Sequence, residues 1–143
     1  MEPVAPGPIR LIPYAGDILR VLGESPGLAL CELTVPPRFA GPPAHIHHGF
    51  DEAIYVLTGA LTMTRAWADP EPAPAGTLIL APPGVRHTFA NPTDEPVRVL
   101  GVWSPASALT FMEEIGAALP ASGPPDATRL AEIYSRHDSE LVP

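Results

Sequence analysis

Three histidines and a glutamate stand at spacings that suit a divalent metal ion: His45, His47, Glu52 and His87. A single residue separates His45 from His47, and on a strand that spacing puts both imidazoles on one face. Glu52 follows Gly49, where the chain can turn and bring a carboxylate back to them. Imidazole nitrogen and carboxylate oxygen together form a ligand set for a divalent transition metal. His87 follows the turn sequence Pro82-Pro83-Gly84 at the start of a later strand and supplies the fourth ligand that the first stretch lacks. His48 has the opposite strand parity, so its side chain is expected to point away. One ion per chain is expected. Iron, nickel, manganese or cobalt in six-coordinate geometry would keep two positions open, whereas zinc could be closed by the four ligands. Glu52 has two available roles, ligand throughout or base toward a metal-bound hydroxyl, and the first is favoured. Free imidazole titrates near about 6.5, so the metal is expected to leave near pH 5 with the sheets intact.

These residues need strands to hold them. Residues 53–57 read Ala-Ile-Tyr-Val-Leu, a β-branched and aromatic run that predicts a buried strand. Further strands are expected over 18–22, 28–35, 61–67, 77–80, 88–90 and 97–103. Gly23-Glu24-Ser25-Pro26-Gly27 has the letters of a nucleophile elbow. That motif needs a helix after its serine; here Pro-Gly and a strand follow, which predicts a hairpin turn. Residues 69–74 are expected to be an exposed connector. Ser104-Pro105 resembles a helix start, with Leu109, Met112, Ile115 and Leu119 at helical spacing behind it. Asp126 is placed to cap a second helix with the stripe Leu130, Ile133 and Tyr134, and His137 beyond it is read as surface. The expected organisation is a loose arm over 1–15, a β-barrel over 16–104 and a helical tail over 105–143.

The two histidine stretches resemble the motifs of the cupins. His45-x-His47, four residues, Glu52, six residues and Gly59 fit the first motif. Gly76, Pro82, Gly84, His87 and Asn91 fit the second at each fixed position. One departure stands at the start, where Phe39 takes the place of the usual opening glycine and Gly41 lies nearer. The resemblance implies an all-β fold, a single jelly-roll β-barrel with two short C-terminal α-helices. It also implies a metal-dependent dioxygenase similar to the quercetinases, acting on an activated enol. Small cupins also include non-redox isomerases and polyketide cyclases, and modules that bind a metal or small ligand without turnover.

Strand parity extends from the ligands to the cavity. If Glu52 and His87 point inward, so do Ile54, Val56 and Phe89. Met63 and Arg65 share a face of their strand, and Phe50 and Trp103 are placed to flank the mouth. An apolar cavity over a metal suits a small, largely apolar organic substrate. Composition narrows the partners. The formal charge is −8, which disfavours nucleic acid and anionic membranes. No lysine is present, so Schiff-base chemistry and a Walker lysine are excluded. Cys31 is the single cysteine, which fits a reducing, cytoplasmic location. No apolar run suggests a signal peptide or membrane span. Open jelly rolls leave edges and apolar faces, so a homodimer is expected.

Overall fold

Alternation of side chains sets the strands. Along Leu28–Val35, Ala29, Cys31, Leu33 and Val35 are buried and the residues between them face outward. Along Val97–Ser104, Val97, Val99, Gly101 and Trp103 turn inward in the same way. A pleated strand with one covered face requires this period of two.

The computed structural model describes residues 7–143. In chain order the strands are β1 (Arg10–Tyr14), β2 (Asp17–Ser25), β3 (Leu28–Val35), β4 (His45–His47), β5 (Asp51–Thr58), β6 (Ala60–Arg65), β7 (Glu71–Pro74), β8 (Leu78–Ala81), β9 (His87–Ala90) and β10 (Val97–Ser104). Helices α1 (Ala108–Ala118) and α2 (Ala127–Arg136) follow, and then β11 (Ser139–Leu141). One sheet has the order β1-β2-β3-β10-β5-β8, the other β11-β4-β9-β6-β7. The pairings are antiparallel, and apolar side chains from both sheets form one core. The Gly23–Gly27 stretch is the expected hairpin, with Ser25 opposite Leu28. Cys31 sits in the core, where burial pushes its thiol up to about 12 and leaves it a poor nucleophile.

Four expectations need correction. The arm expected over 1–15 is a strand in its later part: Arg10–Tyr14 pairs with β2, and Ile12 and Tyr14 are buried. Residues 1–6 lie outside the described residues. The connector over 69–74 contains β7, an edge strand on β6 with Ala73 buried and Pro72 and Pro74 outward, positions where missing donors cost little. Ser104 does not begin a helix, because its backbone belongs to the ladder opposite Asp51. Ser107 is the N-cap instead, after a cis Ser104–Pro105 bond. The tail is more than two helices on a barrel, because β11 pairs with β4 and extends its sheet.

The tail is held tightly. Gly116 of α1 lies against β1, and a Cβ there would stand 2.2 Å from the Pro13 carbonyl oxygen. Ala15 N–H donates to the Gly116 carbonyl at 3.3 Å. Asp126 caps α2 by accepting from Arg129 N–H at 3.0 Å, an interaction worth about 1 kcal/mol. Leu130, Ile133 and Tyr134 of α2 and Leu109, Phe111, Met112 and Ile115 of α1 turn inward.

Candidate metal centre

The short strand β4 buries both His45 and His47 on one face. β9 pairs with it so that His45 stands opposite His87, with ring centres 4.3 Å apart. Nitrogen atoms of the three imidazoles lie within 4.8 Å of one another. The motif glycines serve the turns around them: Gly59 and Gly84 have φ of 81° and 84°, a region that side chains with a Cβ disfavour. Gly41 takes the part of the displaced opening glycine. Its φ is 89°, and a Cβ there would stand 1.8 Å from the carbonyl oxygen of Phe89. Asn91, fully buried, donates to the carbonyls of Pro36 and Glu95 and accepts from Thr93. Its role is to fix the turn beyond β9.

Hydrogen bonds determine which nitrogen of each ring is free. Nδ1 of His45 lies 2.7 Å from the Pro43 carbonyl, and Nδ1 of His87 lies 2.9 Å from the Val85 carbonyl. A carbonyl only accepts, so both Nδ1 atoms carry the proton. Nδ1 of His47 lies 2.7 Å from Ser139 Oγ, and that hydroxyl donates to the His137 carbonyl at 3.1 Å. Ser139 therefore accepts from His47. In each ring the Nε2 lone pair is left facing the centre. Nε2 of His47 and of His87 are buried and lack a hydrogen-bond partner among the described residues. Two such orphaned acceptors cost about 1–3 kcal/mol each, and a divalent cation satisfies them. Burial lowers His45 to about 3, so its lone pair stays available well below neutral pH, and burial lowers His47 in the same direction.

Glu52 reaches the same place from the other sheet. Its two oxygens stand 3.6 Å from His47 Nε2 and 3.8 Å from His87 Nε2, too far for hydrogen bonds. Trp103 Nε1 donates to Oε2 at 3.1 Å and orients the carboxylate. Gly101 makes room for that indole, since a Cβ at Gly101 would lie 2.3 Å from its ring. Burial opposes ionisation of Glu52, but the surrounding imidazoles, His47 foremost, outweigh it when they carry a proton and then lower the carboxyl to about 2. Three neutral imidazoles beside a buried carboxylate suit a divalent ion.

The helices roof this centre. Phe111 packs edge-on to His47 with ring centres 5.0 Å apart, and Tyr134 lies 5.0 Å from His45. Between roof and floor is a cavity of about 20 Å³, lined mainly by apolar side chains with His45, Glu52, Tyr14 and Tyr134 among them. That is room for about one to a few waters, not for a flat ring system. Burial raises the pKa of both tyrosines, with the Glu52 charge adding to it for Tyr14, and Tyr14 and then Glu52 adding to it for Tyr134. They remain protonated donors.

Of the residues read as pocket wall, Ile54, Phe89 and Trp103 line the cavity. Val56 points inward but belongs to the core beyond it. Phe50 stacks on His47 at 4.1 Å between centres. Met63 is half-buried against the core. Arg65 is a correction: it lies exposed at the end of β6, where water solvates its charge. Arg86 is spent on structure, stacked on Trp67 and donating to the Pro143 carbonyl at 3.0 Å. His48 faces outward near Glu140. His137, read as surface, instead pairs with Glu114 of α1 and caps α2. Tyr14, Tyr134 and Ser139 were not singled out. Tyr134 had a signal, a hydroxyl in an otherwise apolar stripe; Ser139 had none.

Two facing antiparallel sheets, with histidines on adjacent strands between them, define a jelly-roll protein with a candidate metal centre. A cupin-domain family model matches residues 31–103, and the chain belongs to the cupin family. An RmlC-like cupin from Shewanella frigidimarina is similar in structure, with TM-score 0.59, 21% identity, and coverage of 68% of this chain and 84% of that one. KdgF from Halomonas sp. gives TM-score 0.56 at 20% identity, covering 73% and 84%. A cupin-superfamily sugar phosphate isomerase from Silicibacter pomeroyi gives TM-score 0.55 at 24% identity, covering 68% of each chain. At these identities the likeness is one of fold. No curated protein matches the sequence. No helix among the described residues is long and apolar enough to cross a membrane.

Proposed function

We propose that this cupin is a metal-dependent oxidoreductase of dioxygenase type, acting on a small, enolisable organic molecule. The convergence of three imidazoles beside Glu52, with His45 and Glu52 on the wall of one small, mainly apolar cavity, carries this reading. His45, His47 and His87, with Glu52 as fourth ligand, would hold the ion. A divalent ion there supplies Lewis acidity toward an enolate oxygen, and iron, nickel, manganese or cobalt adds redox chemistry with dioxygen. The chain's own residues do the rest. Tyr14 and Tyr134 are placed to donate hydrogen bonds to a substrate oxygen. Ile54, Phe89, Met112 and Ile115 exclude water, which strengthens every polar contact inside. The cavity is far below the ~300 Å³ or more of an ordinary organic-ligand pocket. A substrate larger than a few heavy atoms therefore needs the side chains of α1 and α2 to move aside.

A non-redox isomerase or cyclase is the second reading, favoured by a carboxylate and two tyrosine hydroxyls on one cavity. Those groups can take and return a proton without oxygen. The Silicibacter neighbour described as a sugar phosphate isomerase is consistent with such chemistry. A phosphorylated substrate is disfavoured, because no arginine lines the cavity and a phosphate there would be an unpaired buried anion. The test is oxygen uptake by protein loaded with Fe(II), Ni(II), Mn(II) or Co(II) over a panel of small β-diketones and enols. Oxygen consumed in step with substrate supports the dioxygenase; equal product yield under nitrogen overturns it for the non-redox reading. Tyr134→Phe is expected to raise KM without removing bound metal.

A further inference from the structure

We propose that Phe39 controls entry to the metal cavity and that it admits uncharged molecules. A second cavity, of about 70 Å³, lies between the loop that carries Phe39 and the connector from α1 to α2. Gly41, Leu119, Ala121, Ser122 and Phe39 itself are among its walls. On the loop it stops one residue short of the metal cavity: Gly41 lines the outer space and Pro42 the inner one. On the helix side it stops one turn short, with Leu119 outside and Ile115 inside. Leu119 N–H still donates to the Ile115 carbonyl at 2.9 Å, so the two are about 5.4 Å apart along the axis. The Phe39 ring stands between the two spaces. It is 5% exposed. Its centre lies 6.3 Å from that of Tyr14 and 6.2 Å from that of Phe89, and both of those rings line the metal cavity.

The frame around the ring is fixed, so the ring is the part that moves. Arg38 N–H donates to the Thr93 carbonyl at 3.0 Å, and the Phe39 carbonyl accepts from Asn91 N–H at 2.9 Å. The Pro42 carbonyl accepts from Thr88 Oγ1 at 2.6 Å. Across the gap, a Cβ on Gly16 would stand 2.5 Å from that of Ala121, which seats the connector on the turn between β1 and β2. Neither wall can part without losing backbone contacts, whereas a phenyl ring needs only a new rotamer. The neck offers no free charge. Arg38, the charged residue of the outer wall, is committed to Asp94 at 2.7 Å and to the Pro92 carbonyl at 2.7 Å. A charged molecule would shed its water among the rings of Tyr14, Phe39 and Phe89 with no opposite charge to meet it. The inference rests on the reading of a small organic substrate, and it specifies the neutral enol over the ionised enolate as the form that enters.

The test is quenching of Trp103 fluorescence, which needs no turnover and so stands or falls apart from the dioxygenase reading. Trp103 lines the metal cavity and is 2% exposed. In a Trp67→Phe background it is the single tryptophan. Acrylamide, small and uncharged, is the probe. Phe39→Ala is expected to raise the bimolecular quenching constant several-fold with unchanged circular dichroism. Ile133→Ala, which loosens α2 at a residue that lines neither cavity, should leave it near the parent value. An unchanged constant in folded Phe39→Ala, or an equal rise in Ile133→Ala, overturns the proposal and places entry in the helical roof. If either variant misfolds, the route is plugged instead, with Ser122→Cys labelled by N-phenylmaleimide while buried Cys31 stays unreacted. Quenching by acrylamide should then fall several-fold; an unchanged constant overturns the gate. The N-methylpyridinium cation tests the charge rule, since the formal charge of −8 draws it to the surface. It is expected to quench Trp103 several-fold less than acrylamide, and equal quenching overturns selection for uncharged molecules.

Discussion

Ser139 Oγ lies 2.7 Å from His47 Nδ1, a contact between residues 92 positions apart. His45 and His87 each use a carbonyl two residues away, so their orientation is local. His47 alone depends on the C-terminal strand β11, which places Ser139 opposite it. Ser139→Ala is therefore expected to weaken metal binding about 10- to 100-fold, with Ser139→Thr recovering most of it. Competition against a chelator of known affinity measures this. Equal affinity in Ser139→Ala would show that packing alone orients the ring.

The ligand assignment separates neighbours. His87→Ala is expected to strip most of the metal, because it removes one of three converging lone pairs. His48→Ala should keep it, since His48 faces outward. Elemental analysis of the two purified variants decides; matching metal contents would sink the assignment.

Gly101→Ala tests the support of Glu52. The new methyl would collide with the Trp103 indole, displacing the donor that holds the carboxylate. Overpacking of this kind costs about 1–3 kcal/mol, and metal affinity should fall with it. Gly23→Ala is the control, because nothing lies within 4 Å of its would-be Cβ. Thermal melts and tryptophan fluorescence read the two variants.

Acid should unfold the metal-free protein gradually. Burial lowers His45 to about 3, so below about 6.5 the unfolded chain takes up a proton that the folded chain refuses. This contribution is complete above that value and is lost as pH falls toward 3. Glu52, at about 2 in the fold, adds stability above its ordinary range near 4.5 that is lost toward 2. Each group contributes a slope of up to about 1.4 kcal/mol per pH unit within its window. Melting temperature of chelator-treated protein should hold steady above pH 7 and fall below 6.5. A flat profile from pH 7 to 4 would contradict the burial argument. The same burial revises the expectation of metal release near pH 5 with intact sheets: the His45 lone pair persists there, so metal loss should accompany unfolding.

The histidines, Glu52 and the motif glycines were legible because their information is local. Spacing by two selects one face of β4, and glycine at positive φ permits the turns on which β5 and β9 depend. The core faces of β3 and β10 were legible for the same reason, since a period of two needs no distant partner. β1, β7 and β11 were not, because Arg10–Tyr14, Glu71–Pro74 and Ser139–Leu141 carry prolines or few apolar residues and become strands only where a neighbour offers free backbone groups.

Function-bearing detail was divided the same way. The sequence by itself determined which side chains could meet a metal. Tertiary structure alone decided how much space remains above them, because the roof comes from α1 and α2, some 60 to 90 residues downstream of β4. Arg65 shows the limit of parity: it shares a strand with Met63, yet the end of β6 leaves it in water. Tyr14 and Tyr134 show the converse. The local sequence of Tyr14 gives no sign of the site and that of Tyr134 only a hydroxyl in an apolar stripe, but the docking of Gly116 against Pro13 and the burial of α2 bring both rings to the cavity. Local geometry is written in short-range spacing, whereas the volume and polarity of a cavity depend on surfaces that meet only when the whole chain packs.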